Sequence, residues 1–320
     1  VETGKSLNIV FMGTPEFAVA TLDALMKSRH KIVAVITVPD KPASRGLKMQ
    51  ASAVKEYALK HNLKILQPEK LKSEAFINEL KQLNSDLQVV VAFRMLPEIV
   101  WRMPKYGTIN LHASLLPQYR GAAPINWAII NGEKETGNTT FLLSHEIDTG
   151  DILMQERISI EETDDAGIVH DKLMNEGAKL IVKTVEAIAD GTAKPLKQPQ
   201  VSEIRLAPKI YRETCKIDWN KPVEQIYNFI RGLSPYPGAW TELKNTDGSK
   251  IILKVFKSVK QSAVKLDGGK VIATEKNQLF IGCSNGTLEI TELQAEGKKR
   301  MSAADFLRGI PPENKNWTIL

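Results

Sequence analysis

Through its first half the chain alternates short apolar runs, rich in β-branched residues, with segments of helical period, and few architectures accept that alternation. Leu7–Gly13, Lys31–Thr37, Leu87–Phe93 and Gly107–His112 read as strands. Between them, Phe17–Lys27, Ala51–His61 and Glu74–Leu83 carry apolar residues at helical spacing. A run such as Val89-Val90-Val91-Ala92 has no polar face, so its strand is buried on both sides. Buried strands joined through helices predict an α/β fold with a doubly wound, mostly parallel, Rossmann-like sheet. Ligands of such sheets sit beyond the C-terminal ends of the strands. Asn138–Leu143 and Asp151–Ile158 extend the strand pattern, and Asp164–Asp190 reads as one long helix.

The pattern stops at Gly191. Residues 191–200 hold two prolines, little apolar content and no period, the composition of a linker. Beyond it, one helix (Val223–Arg231) precedes short strands with turn signals at Asn245-Thr246-Asp247-Gly248, Asp267-Gly268-Gly269 and Asn285-Gly286, the layout of a small β-barrel or sandwich. A length of 320 residues also exceeds one ordinary core. The expected organisation is a domain over 1–190, a linker over 191–208 and a small β-barrel domain over 209–320.

Charge separates the same regions. Residues 1–206 carry 25 basic and 25 acidic side chains, whereas residues 207–320 carry 18 and 12, so the whole net charge of +6 lies in the final third. Such an excess serves either a polyanionic partner or plain solubility, and charge alone leaves both open. No apolar run reaches the ~18–20 residues of a membrane span. Glu2 and Lys5, running into a strand-like segment, do not have a signal peptide's layout, so a cytoplasmic protein is expected. Cys215 and Cys283 form no CxxC pair, which argues against a zinc ribbon or a disulfide framework.

Several motifs fail. Gly13-Thr14-Pro15-Glu16-Phe17 follows the first strand but lacks the later glycines of a dinucleotide site, and Gly4-Lys5-Ser6 lacks the upstream glycine of a phosphate loop. His145-Glu146 has no second histidine at zincin spacing, and no GxSxG elbow surrounds Ser114. His30, His61 and His170 stand in surface-like contexts and are expected to be solvated. What remains is Asn110-Leu111-His112 at the end of a predicted strand, with Asp148-Thr149-Gly150-Asp151 later in the chain. Residues two apart in a strand point the same way, so an amide and an imidazole are aimed at one place. A carboxylate from the later turn can set the imidazole's charge or relay a proton. This trio has no nucleophile of its own, which suits acyl transfer between two bound substrates.

At these residues the chain resembles the folate-dependent formyltransferases, whose pattern is Asn-x-His, a Ser-Leu-Leu-Pro segment and a later Asp-Thr-Gly-Asp. The resemblance covers nearly the whole chain. It extends to Ser114–Pro124 (SLLPQYRGAAP), to the basic segment Pro39–Lys55, and to Ala207–Ile210, Ile217–Trp219 and Arg231–Trp240 (RGLSPYPGAW), features of the branch that acts on tRNA. It implies that Asn110 and His112 hold and polarise the formyl oxygen and that Asp148 completes the catalytic trio. Ser114, Leu115, Leu116, Pro117 and Leu96 would lie along 10-formyltetrahydrofolate, the co-substrate, with no metal, ATP or NAD required.

The implied acceptor is the methionine amine of initiator methionyl-tRNA. Arg45, Lys41, Lys48 and Lys209 would contact the tRNA, and the C-terminal barrel, of the oligonucleotide-binding (OB-like) type, would lie along it. The protein is expected to act as a monomer, away from membranes. One departure stands out: Phe93-Arg94-Met95 precedes Leu96-Pro97 where the family often has Tyr-Gly, which bears on the pterin pocket. The rival readings are a related formyltransferase acting on an amino sugar nucleotide or another small amine, a formyl-folate hydrolase, and a nucleic-acid-binding module with an inactive α/β domain.

Overall fold

The computed structural model describes residues 4–42, 49–245, 248–274, 276–311, 315 and 317–320. The chain packs as two compact units that interleave in sequence. Unit 1 takes residues up to Gly121 together with 136–158 and 170–206; unit 2 takes 122–135, 159–169 and 207–320. The expected division ran along the chain only once, at 191–208. Here the stretch up to Leu206 packs with unit 1, and two earlier segments pack with unit 2.

Unit 1 is built on a seven-stranded sheet. Its strands are β1 (Asn8–Gly13), β2 (Lys31–Ile36), β3 (Ile65–Leu66), β4 (Leu87–Val91), β5 (Thr108–His112), β6 (Glu135–Leu142) and β7 (Ile152–Ser159). They lie in the order β7-β6-β5-β4-β1-β2-β3. Strands β3, β2, β1, β4 and β5 run parallel, and β6 joins antiparallel to β5. The order reverses at β1, as in a doubly wound sheet, which opens a crevice at the carboxyl ends of β1 and β4.

Sequence explains the centre of this sheet. All five residues of β4 (LQVVV) are buried, and Phe11 of β1 pairs with Val35 on one side and Val89 on the other. The one polar member, Gln88, accepts the Thr108 hydroxyl at its Oε1 (2.9 Å), while its buried Nε2 has no hydrogen-bond partner among the described residues. Helix α1 (Glu16–Met26) turns Phe17, Ala18, Leu22 and Leu25 inward. Helix α2 (Ala53–Lys60) starts where the Ser52 hydroxyl accepts the Lys55 N–H at 3.0 Å, an ordinary N-cap. Helices α3 (Glu74–Gln82), α4 (Glu98–Trp101) and most of α6 (Ala166–Ala189) complete the unit.

Unit 2 holds α5 (Pro124–Ile130), α7 (Val223–Leu233), α8 (Ala303–Arg308) and an antiparallel sheet. Its strands are β8 (Ala239–Asn245), β9 (Lys250–Gln261), β10 (Val271–Ala273), β11 (Leu279–Cys283), β12 (Gly286–Ala295), β13 (Met301–Ser302) and β14 (Trp317–Ile319). The order is β10-β11-β12-β9-β8-β14, with β13 on β12, and a bridge between Lys270 and Thr318 brings the two ends together into a nearly closed barrel. Alternating inward residues such as Leu253, Val255, Leu288, Ile290 and Leu293 fill its core.

The motif RGLSPYPGAW begins at the end of α7. Arg231 is buried and donates to the carbonyls of Asp164 (2.8 Å) and Glu161 (3.3 Å) and to Asn228 Oδ1 (2.8 Å), and burial lowers its pKa. Gly232 lets α7 approach α5, because a Cβ there would come within 2.7 Å of Ile130 Cγ1. Both cysteines are buried and free, and burial pushes the Cys283 thiol up to about 11. No helix among the described residues is long and apolar enough to cross a membrane.

Candidate active site

Asn110 and His112 leave β5 on one face at the carboxyl end of the strand, where β5 is flanked by β4 and β6. The Asn110 carboxamide makes no side-chain hydrogen bond among the described residues, so its donors remain available. His112 is held differently. Its Nε2 lies 2.9 Å from the carbonyl oxygen of Tyr119, and since a carbonyl only accepts, Nε2 carries the hydrogen. Nδ1 is therefore the position that gains or loses a proton.

Nδ1 faces Asp148 Oδ2 at 3.8 Å, and the two side chains are 8% and 13% exposed. The geometry refines the sequence expectation, because the neutral ring's only N–H is already engaged by Tyr119. To donate from Nδ1, His112 has to be an imidazolium, and Asp148 supplies the opposite charge.

Asp148 stands in the connection between β6 and β7 with φ +55°, a left-handed conformation that few residues with a side chain adopt. Its Oδ2 accepts the Gly121 N–H at 3.0 Å. The next turn residue that matters is Gly150, where a Cβ would overlap the carbonyl oxygen of Leu142. The sequence reading brings Asn110, His112 and Asp148 together; the fold sets His112 against Asp148 and carries Asn110 two residues before His112 on the same strand. The sequence reading misses Tyr119 and Gly121, whose backbone atoms hold His112 and Asp148, and Gly150, which lets the turn pass close to Leu142; only the two glycines inside these motifs hint at them.

The expected folate-side residues are placed less simply. Ser114 is fully buried and its hydroxyl donates to the Gln118 carbonyl at 2.7 Å, so it braces the loop. Leu116 and Pro117 are also buried, the Leu116 N–H donates to Thr139 Oγ1, and the Leu116–Pro117 peptide is cis. Leu115 is half-buried beside Gly137. Leu96 belongs to the core cluster with Val90 and Val100, whereas Met95 next to it is 73% exposed. Of the expected folate-side residues, Ser114, Leu116, Pro117 and Leu96 are therefore buried and only Leu115 is half-open. Arg94, the family departure, folds back to donate to the carbonyls of Pro68 and Glu69, after Ala92 turns the chain at φ +46°.

Of the residues expected to meet tRNA, Arg45 and Lys48 lie outside the described residues. Lys41 is exposed in a two-residue antiparallel pair, Lys41–Pro42 with Met49–Gln50. Lys209 lines a cavity of about 680 Å³ within unit 2, together with Arg212, Lys254, Tyr211, Tyr236 and Trp240. The Lys209 ammonium sits 5.3 Å from the Tyr211 ring centre, Arg212 and Lys216 flank Trp240, and Tyr236 is 82% exposed. Cations interleaved with open aromatic faces suit phosphates and unstacked bases. Among the described residues no cluster of His, Cys, Asp and Glu could hold a metal ion. His30, expected to be solvated, is instead buried, with Nδ1 accepting the Leu7 N–H at 3.2 Å and Nε2 3.2 Å from Glu186.

Residues 7–185 match the formyl transferase family and residues 209–311 the formyl transferase C-terminal domain family. The chain is 55% identical over 309 residues to the methionyl-tRNA formyltransferase of Bacteroides fragilis, covering 95% of each, and 56% identical over 318 residues to that of Phocaeicola vulgatus, covering 98% of each. Among solved structures, a sugar 3N-formyl transferase, WlaRD, superposes with a TM-score of 0.63 at 22% identity, covering 92% of this chain and 100% of that one. HypX from Aquifex aeolicus in complex with tetrahydrofolic acid superposes with a TM-score of 0.64 at 18% identity, covering 95% of this chain; the chain spans about half of HypX, 47% of its length. At these identities the two structures speak for the fold alone.

Proposed function

The chain belongs to the formyl transferase family, and from that membership we propose that it moves the formyl group of 10-formyltetrahydrofolate to the α-amine of methionyl-initiator tRNA. The observation that carries this reading is that likeness to methionyl-tRNA formyltransferases runs through both units at more than half identity. The trio at the end of β5 supplies matching chemistry.

The neutral amine attacks the formyl carbon, and the carbonyl oxygen takes up the negative charge. Asn110, carried on β5, and the Nδ1–H of an imidazolium His112, whose ring Tyr119 already holds, donate to that oxyanion. As the amine nitrogen becomes an ammonium, its proton passes to the Asp148 carboxylate, directly or through a water. The C–N10 bond then breaks and N10 takes that proton from the Asp148 carboxyl, directly or through the same water, giving tetrahydrofolate and the formamide and restoring the carboxylate. Tyr119 and Gly121 keep the ring and the carboxylate in place throughout. No metal and no nucleotide triphosphate enter these steps, because the folate already carries the activated formyl group.

In this reading Lys209, in the basic, aromatic-lined cavity of unit 2, contacts the tRNA, and Lys41, Arg45 and Lys48 are further contacts. Arg45 offers a planar fork for phosphates or base edges that lysine does not reproduce. The second reading, formyl transfer to an amino sugar nucleotide, finds support in the fold shared with sugar formyltransferases. The experiment offers initiator methionyl-tRNA, elongator methionyl-tRNA and a dTDP-linked amino sugar as competing acceptors, with the parent chain and Arg45→Lys. Preference for the initiator tRNA, weakened by Arg45→Lys although charge is kept, is expected. Preference for the sugar overturns the reading.

A further inference from the structure

Residues 191–208 look like a linker by composition, yet within unit 1 the stretch 196–205 is bound to the loops that carry the trio. Leu196 exchanges two backbone hydrogen bonds with Ile152, at 2.7 and 2.9 Å, just after the Asp148–Gly150 turn. Further along, Gln118 Nε2 donates to the Glu203 carbonyl at 2.9 Å, and Tyr119 N–H donates to the Arg205 carbonyl at 2.6 Å. The stretch therefore touches both segments that hold His112 and Asp148.

Gln198 sits at the crossing. Its Nε2 donates to the Asp148 carbonyl at 2.8 Å and to the Gly150 carbonyl at 3.0 Å. Its Oε1 accepts from Arg120 Nη2 at 2.6 Å and Arg120 Nε at 3.2 Å. Both amide hydrogens and both lone pairs have partners, which is the full capacity of the group. Arg120 lies between Tyr119, whose carbonyl fixes the His112 tautomer, and Gly121, whose N–H holds the Asp148 carboxylate. One carboxamide thus clamps the backbone on either side of Thr149 and ties it to the tripeptide that grips both ionisable groups.

The clamp has a clear task. Asp148 has φ +55°, so its turn relaxes toward ordinary backbone unless neighbours hold it. Two carbonyls anchored from one side fix that turn, and with it the 3.8 Å approach of Oδ2 to His112 Nδ1. We infer that Gln198 is a positioning residue for formyl transfer, acting on the reaction through Asp148. The inference rests on the proposed function above and assigns a chemical task to a segment whose composition suggests none.

The test compares Gln198→Ala and Gln198→Glu with the parent chain. Glutamate keeps the pairing with Arg120 but has no hydrogens for the two carbonyls, so it separates clamping from mere packing. Both substitutions are expected to lower kcat by about tenfold to a hundredfold, the scale of a small misplacement at a reacting centre, with KM for both substrates within about twofold of the parent. In an Asp148→Asn background, Gln198→Ala should add less than about twofold in single-turnover rate, since its effect runs through the carboxylate. A crystal structure of Gln198→Ala should show the Asp148 turn moved off its φ or its carboxylate released from Gly121. Parent-like kcat in both variants, effects that multiply with Asp148→Asn, or an unmoved turn in the crystal overturns the inference. Should the parent fail to formylate methionyl-tRNA, the acceptor assignment falls by itself, and the crystal structure still decides the role of Gln198.

Discussion

His112 and Asp148 meet through the one imidazole nitrogen that the fold leaves open: Nδ1 faces Oδ2 at 3.8 Å while Nε2 is fixed on a backbone carbonyl. That division of the ring decides its chemistry. Nε2 sets tautomer and orientation, and Nδ1 is left to donate, beside a carboxylate oxygen that also accepts the Gly121 N–H.

Asp148→Asn keeps the shape of the side chain and an acceptor for the Gly121 N–H, but it removes the negative charge and the proton acceptor. Single-turnover formylation should fall by ~10²-fold or more, with thermal melting and tRNA affinity close to the parent. Retention of more than about a tenth of the rate removes Asp148 from the acid–base role.

For His112→Ala the expected loss is about 10²- to 10³-fold, the usual scale for removing an oxyanion donor. A histidine that served only to satisfy the Tyr119 carbonyl would behave otherwise: melting would drop while activity per folded molecule stayed near the parent's. Measuring both quantities on the same preparation separates the two cases.

Gly150→Ala tests the turn without touching an ionisable group. The added methyl would overlap the Leu142 carbonyl oxygen, and the backbone next to Asp148 has to shift to admit it. The rate is expected to fall at least tenfold, chiefly in kcat. Full activity would mean that the position of Asp148 tolerates displacement, against the preorganised site described above.

Much of unit 1 is legible in the sequence, because strands buried on both faces leave long apolar runs. Lys31–Thr37 and Gly107–His112 differ from the observed β2 and β5 by one residue, and Asp164–Asp190 closely brackets α6. The strand expected to reach Phe93 ends at Val91, since Ala92 takes a left-handed conformation that no local pattern announces. Asn110, His112 and Asp148 stand out because their side chains bear the chemistry. Tyr119 and Gly121 act through backbone atoms, and Gln198 lies in a stretch whose composition says linker, so side-chain periodicity passes over all three. Ser114 and Leu96 sit in matching motifs yet face the interior, because a motif records spacing and burial depends on the loops around it.

His30 shows how far burial can depart from local context, and it gives stability a pH dependence. Burial is the largest influence on its ring and lowers its pKa, with Glu186 opposing. The unfolded chain takes a proton near pH ~6.5 that the folded chain accepts only at lower pH. Its contribution is therefore complete above about pH 6.5 and is lost as pH falls through the folded-state value. Urea midpoints of the parent should decline between about pH 7 and pH 5, and less steeply in His30→Asn, whose amide oxygen can still accept the Leu7 N–H. Equal slopes would place the pH dependence elsewhere.

The most direct test of the account follows the formyl group itself. With 10-formyltetrahydrofolate labelled in the formyl carbon and methionyl-initiator tRNA in single turnover, the label is traced to the tRNA-linked formamide or to free formate. The account predicts that the label enters the formamide in step with tetrahydrofolate release, and that formate stays at background whether or not tRNA is present. Release of labelled formate at one rate with and without methionyl-tRNA would contradict it, and the trio at the end of β5 would then serve water rather than the amine.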